Sequence, residues 1–247
     1  MPLFTTSLQN QDQASSAGVY SYPLLTYPKQ FSKVSDELNR TTLNASGAIA
    51  FYVLASNDGN GTVTMNATGG ARLTTDSSAA GDDASLRLSE LDIRRVVRGV
   101  TDSRSKITLI VTFALPSATS TEGFIGFMDA KGALAALPTT GRHMGVYWDA
   151  SAGANFMLTS ADGTSQSTTD TTIALATSGK RIEIVWNGDD SATLSFFSTT
   201  TTKTPSATQT VTSLNMNQRS FQLHFFVQTE TTAAKTLDLF EWMIQSE

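Results

Sequence analysis

The densest gathering of reactive side chains in the chain is RHMGVYWDA, residues 142–150, which holds His143, Tyr147 and Asp149. Successive side chains of an extended strand point to opposite sides, so these three share one face with Gly145. Met144, Val146 and Trp148 take the other face and read as core. An imidazole, a phenol and a carboxylate on one face form either a platform for stacking a saccharide or a solvated sheet wall. Polar sheet faces are common, and a glycine beside a tyrosine often marks close backbone approach, so the wall is the preferred reading.

Other candidates are sparser. His143 and His224 are the only histidines, no cysteine is present, and no His/His pair has metal-ligand spacing, so no metal site is expected. No G-x-S-x-G elbow occurs, which removes that route to a serine nucleophile. SELDIRR (89–95) sets Glu90 and Asp92 on one face. Retaining glycoside cleavage needs two carboxyl groups about 5–5.5 Å apart. Arg94 takes the next position on that face, where a cation would lower both carboxyl pKa values and spoil the general acid. Arg87, Arg94, Arg95, Arg98, Arg104 and Lys106 read instead as ion-pairing groups, within the fold or toward an adjacent subunit, or as a solvated basic face. DASAGANF (149–156) and NGDDSA (187–192) read as hairpin turns, since neither follows the twelve-residue calcium-loop pattern. The residues therefore predict no catalytic group, no metal and no cofactor.

Composition sets the frame for these positions. The 247 residues carry a net charge of −5, with 40% hydrophobic and only 16% charged residues. Serine and threonine make up about a quarter of the chain. Threonine is β-branched and keeps a surface hydrophilic without charge, so many strands with neutral outer faces are expected. An acidic, charge-poor chain suits a phosphate backbone badly, which argues against nucleic acid as a partner. The longest apolar run, ITLIVTFAL (107–115), is too short to span a bilayer. MPLFTTSLQNQDQ lacks the basic start and apolar core of a signal peptide, so synthesis and assembly in a cytoplasm are expected.

The elements that must position these residues follow a period of two. RIEIVW (181–186) sets Ile182, Ile184 and Trp186 on one face, and FQLHFFV (221–227) aligns Phe221, Leu223, Phe225 and Val227. In the second strand, Gln222 and His224 fall on the polar side. TLDLFEWMI (236–244) is apolar on both faces apart from Asp238 and Glu241, which suits a central strand or one covered by a partner. STTTTKTPSATQTVTS (198–213) reads as a solvent-facing loop and edge strand. Polar turns punctuate about a dozen short strands and no long amphipathic helix appears, so an antiparallel sandwich is expected over 46–247. Residues 1–45 differ: a polar stretch tipped by Leu3 and Phe4, three tyrosines (Tyr20, Tyr22, Tyr27) among prolines, and one helical turn at 35–39 capped by Ser35. This segment is expected to be an extended N-terminal arm that gains order on a partner.

GFIGFMDAKGALAALPTTGRHMGVYWDASAGANFMLTSADGTSQSTTDTTIAL carries an order of features that resembles a known family. A G-F-x-D strand precedes a long Gly/Pro loop, then GVYWD, a hairpin to NFMLTSADG, and KRIEIVWNGD ending in a turn. The pattern is similar to the concanavalin A-like (laminin-G-like) jelly roll of structural proteins in tailed-phage virions. GGARLTTDSSAAGDDASLRL (69–88) is similar to the segment before that core. The resemblance covers about residues 46–247 and leaves the arm out. It implies a two-sheet antiparallel jelly-roll sandwich and a non-enzymatic virion-surface protein. The implied role is a capsid decoration protein that stabilises the capsid through contacts with the major capsid protein and copies of itself, expected as a trimer. The alternative is a lectin-like binder of host surface glycans through His143, Tyr147 and Asp149. A third reading is a polysaccharide hydrolase, but the family's E-x-D-x-E strand is missing; ELDIR is its nearest approach and departs at the last position.

Overall fold

Alternation decides the architecture. In β11 (Lys180–Trp186), Ile182 and Ile184 are fully enclosed while Arg181, Glu183 and Val185, which alternate with them, are half-buried. A computed structural model describes residues 32–36, 52–55, 60–65, 70–88, 107–129, 134–187, 191–212, 214 and 221–246. Among them are fifteen strands and no helix. One sheet runs β13 (Ala207–Val211), β12 (Ala192–Phe197), β11, β6 (Ile107–Ala114), β15 (Thr236–Ser246), β4 (Ala71–Thr74) and β3 (Thr62–Met65). β1 (Ser32–Asp36) also pairs with β15. The other sheet runs β10 (Gln166–Ala174), β9 (Asn155–Ala161), β8 (His143–Asp149), β7 (Thr121–Met128), β14 (Gln222–Thr229), β5 (Asp83–Leu88) and β2 (Tyr52–Ala55). Every pairing is antiparallel.

The facing sides of the two sheets interdigitate into one core that includes Phe113, Trp148, Phe156 and Phe196. Phe113 stacks on Trp148 at 6.1 Å and meets Phe156 edge-on at 5.8 Å. Full burial of side chains this large is worth about 1.5–3 kcal/mol each, so these aromatics lock the two layers together. On β15 the apolar pattern on both faces has a local cause. A bulge between Leu239 and Glu241 inserts Phe240, so Leu237 and Leu239 before it and Trp242 and Ile244 after it all enter the core. The strand is central, flanked by β6 on one side and by β4 and β1 on the other. Asp238 is buried and receives two hydrogen bonds from Arg72, at 2.6 and 2.7 Å.

Two expectations for the N-terminal segment meet different fates. Ser35 and Asp36 lie in β1, opposite Met243 and Trp242, and do not cap a helical turn; pairing with β15 satisfies their backbone in extended form. Leu3, Phe4, Tyr20, Tyr22 and Tyr27 lie outside the described residues, as do Glu90, Asp92 and the basic residues at 94–106. Residues 198–212 form a loop and the edge strand β13, as their composition suggested. No helix among the described residues is long and apolar enough to cross a membrane.

Candidate functional site

β8 carries all three residues singled out from the sequence, and the fold separates them. His143 is fully buried. Its Nδ1 donates to the Gly141 carbonyl at 2.6 Å, which fixes the neutral tautomer and leaves Nε2 to accept from the Thr159 hydroxyl at 2.9 Å. The same hydroxyl accepts from Gln166 Nε2 at 3.0 Å. Burial holds the imidazole below its ordinary pKa. The Phe124 ring meets it edge-on at 5.8 Å. His143 therefore belongs to the interior and offers no surface to a glycan. The expectation that it shares an exposed face with Tyr147 failed because alternation shows which sheet face a residue takes, not what lies over that face.

Tyr147 and Asp149 sit at the other end of β8 and meet partners the sequence did not reveal. Asp149 stands directly across from Glu122, the second residue of β7. Glu230 follows β14, and its amide donates to the Ser120 carbonyl at 3.1 Å. Ser120 has φ 50°, a left-handed turn residue that lets the chain enter β7 beside the β14 end. Oxygen atoms of Glu122, Asp149 and Glu230 all lie within 4.8 Å of one another, each residue half-buried. The Ser151 amide donates to both Asp149 Oδ1 and Glu230 Oε1, at 3.0 Å each. Asp149 Oδ1 also accepts from the Ser151 hydroxyl at 2.8 Å and the Ala152 amide at 2.9 Å, capping the β8–β9 turn.

These contacts sort the three acids electrostatically. Burial, with the charges of Asp149 and Glu230 beside it, pushes Glu122 up to about 6. Burial also raises Glu230. Asp149 is held below the usual carboxylate range: burial opposes this, but the Ser151 and Ala152 donors and a hydrogen bond with Glu230 outweigh it. Burial and Asp149 raise the Tyr147 phenol, keeping it protonated. The result is a rim of oxygen acceptors, at least one of them firmly ionised, next to a half-buried aromatic ring. Such a rim accepts hydrogen bonds from vicinal hydroxyls, and its all-oxygen donor set also suits a hard divalent cation. Among the described residues it is the only group of three acidic or metal-ligating side chains this close. Glu122 and Glu230 left no trace in local sequence, because only the β7–β8 register and the β14–β15 turn bring them to Asp149.

No family model matches the chain, and no curated protein matches its sequence. Solved structures share its architecture. A protein of unknown function from Shewanella oneidensis MR-1 superposes with a TM-score of 0.57 at 13% identity, over 90% of each chain. The winged bean acidic lectin complexed with methyl-α-D-galactose gives 0.56 at 9% identity, over 88% of this chain and 99% of the lectin. A glycosyl hydrolase family protein from Mycobacterium fortuitum gives 0.53 at 12% identity, over 85% of this chain and 97% of that one. At such identities the likeness shows the fold: an all-β, two-sheet antiparallel jelly-roll sandwich of the lectin type.

Proposed function

We propose that this protein is a non-enzymatic, lectin-like carbohydrate-binding sandwich that seats a saccharide at the Tyr147–Asp149–Glu122–Glu230 rim. The observation that carries the reading is the rim itself. A half-buried phenol beside carboxylate acceptors pairs an apolar ring for a sugar's C–H face with acceptors for its hydroxyls. A fold shared with a galactoside-bound lectin supports it. Glycan-array binding by the purified chain, lost on Tyr147→Ala and weakened at least tenfold by Asp149→Asn, is the expected result. Silence of the folded wild-type chain across the array would overturn it.

A hydrolytic reading of the same rim has two observations in its favour: the fold is shared with a glycosyl hydrolase family protein, and Glu122 is raised to about 6 while Asp149 is held low, the split that acid and base roles require. Against it, Asp149 Oδ1 is engaged by three donors in capping a turn. Release of reducing ends from polysaccharides, abolished by Glu122→Gln, would favour hydrolysis; none is expected. The virion-decoration role comes from the resemblance over residues 46–247; most of the arm that would add to its contacts lies outside the described residues, and the lectin neighbours favour the carbohydrate-binding alternative.

A further inference from the structure

The outer face of the seven-stranded sheet holds a second hydrophobic cluster, separate from the main core: Phe124, Met128, Phe226 and Leu134, with Leu137 and Tyr147 packed against it. Phe124 and Phe226 stand opposite each other on β7 and β14 and are fully enclosed. Beside them Gly126 faces Gly145 across β7 and β8. A Cβ on either glycine would stand 2.8–2.9 Å from the Phe124 ring, so the ring lies down on a floor without side chains. The aliphatic cover comes from the β7–β8 connection. Met128 and His143 are paired across the two strands, and the Asp129 amide reaches the Arg142 carbonyl at 3.1 Å. A hairpin at that point needs two to five linking residues. The chain instead folds residues 134–142 back over the sheet, none of them in a strand. Their attachments include Gln228 Nε2 to the Ala135 carbonyl and Gln166 Nε2 to the Pro138 carbonyl, each at 3.2 Å.

We infer that residues 134–142 form a displaceable strap, and that its lifting from Phe124, Met128 and Phe226 frees the ring of Tyr147 for a ligand. Tyr147 belongs to both neighbourhoods: its ring packs against the cluster under the strap, and its strand leads two residues on to Asp149 at the rim. The segment is anchored at its C-terminal end by the His143 bond to the Gly141 carbonyl and the Arg142–Asp129 ion pair. Residues 134–138, in contrast, are held by two aliphatic side chains and amide-to-carbonyl contacts and open at lower cost than the ladders beneath them. The strap then sets how much aromatic surface a saccharide finds, so a closed strap lowers apparent affinity by the fraction of molecules that are open. This coupling rests on the carbohydrate-binding reading; the opening itself does not.

The chain has no cysteine, so an introduced thiol reports on one place only. Met128→Cys puts a thiol under the strap, and Ala84→Cys puts one in the main core with little change of volume. Each is exposed to a thiol-reactive chromophore without denaturant, and urea titration of each variant supplies the rate that global unfolding alone would give. Met128→Cys is expected to react at least tenfold faster than its global-unfolding rate, and faster still with Leu137→Ala, while Ala84→Cys stays at the global limit. Equal, globally limited rates at both positions would overturn the strap whether or not any sugar binds. If opening is seen, Leu137→Ala is expected to tighten glycan binding about threefold or more. Opening with unchanged affinity would overturn the coupling, and opening without any wild-type glycan binding would overturn the carbohydrate reading alone.

Discussion

Glu122 and Asp149 face each other across the β7–β8 ladder with Glu230 beside both, so three acids crowd one sheet end. Glu122 is raised from 4.5 to about 6 by burial and by these neighbours. A raised carboxyl stabilises the fold fully below its unfolded pKa, and that contribution is lost as pH rises through the folded value. Glu122→Gln should therefore leave stability unchanged near pH 4 and raise it at pH 8. Solvent screening of a half-exposed group limits the gain to about 1 kcal/mol. Urea unfolding at the two pH values checks this, and a loss at pH 8 would contradict it.

His143 makes the opposite kind of contribution. Its neutral ring links the Gly141 carbonyl to the Thr159 hydroxyl inside the fold. His143→Ala should cost about 2–4 kcal/mol, from the void and from two polar groups left without that partner. Burial depresses its pKa, so its stabilisation is present above about 6.5 and lost as pH falls. The gap between wild type and variant should accordingly narrow between pH 7.5 and 5 in urea titrations.

Arg72 holds the buried Asp238 carboxylate in a two-point grip between neighbouring strands. Arg72→Met should destabilise the protein by about 2 kcal/mol, because a carboxylate that is nearly enclosed loses its charge partner. The half-exposed position of Arg72 keeps the figure below that of a fully buried pair. Thermal unfolding of Arg72→Met beside the double variant Arg72→Met/Asp238→Leu tests it: the double variant should recover much of the loss.

Deleting Phe240 removes the extra residue of the β15 bulge. Either Leu237 and Leu239 or Trp242 and Ile244 must then turn out of the core. Losing two enclosed apolar side chains costs about 3–6 kcal/mol, a large part of a typical domain's stability of about 5–15 kcal/mol. Near-ultraviolet circular dichroism should show loss of fixed aromatic packing, whereas Phe240→Ala should retain it.

The arm allows a test independent of the rim. Removing residues 1–30 should leave the sandwich folded, since the described strands begin at Ser32. If the chain decorates capsids through that arm, the truncated form should fail to bind particles while keeping its circular dichroism spectrum. Undiminished binding would remove the arm from the account.

The strands whose two faces differ were legible from their period. Ile182 and Ile184 on β11, and Leu223, Phe225 and Val227 on β14, are all core. What alternation could not show was a second layer of burial. Gln222, His224 and Phe226 lie on the far face of β14 and are enclosed as well, and Leu134 and Leu137 join the cluster that holds Phe226 from a loop whose landing place no local pattern encodes. The burial of His143 is hidden from alternation for the same reason. Along β15 the inserted Phe240 mixed two phases into one run that looked apolar throughout. At the rim, Asp149 stood out because it closes an aromatic stretch, whereas Glu122 and Glu230 follow no local motif and become its neighbours through long-range register.

Gln209, from the margin of one sheet, reaches the other sheet's border strand, where its amide donates to the Ser167 carbonyl and hydroxyl, at 3.2 Å each. A foreign strand growing onto that border would first have to dislodge this amide from the backbone acceptor it occupies. One side chain thus stitches the seam between the two layers at the margin where both sheets end.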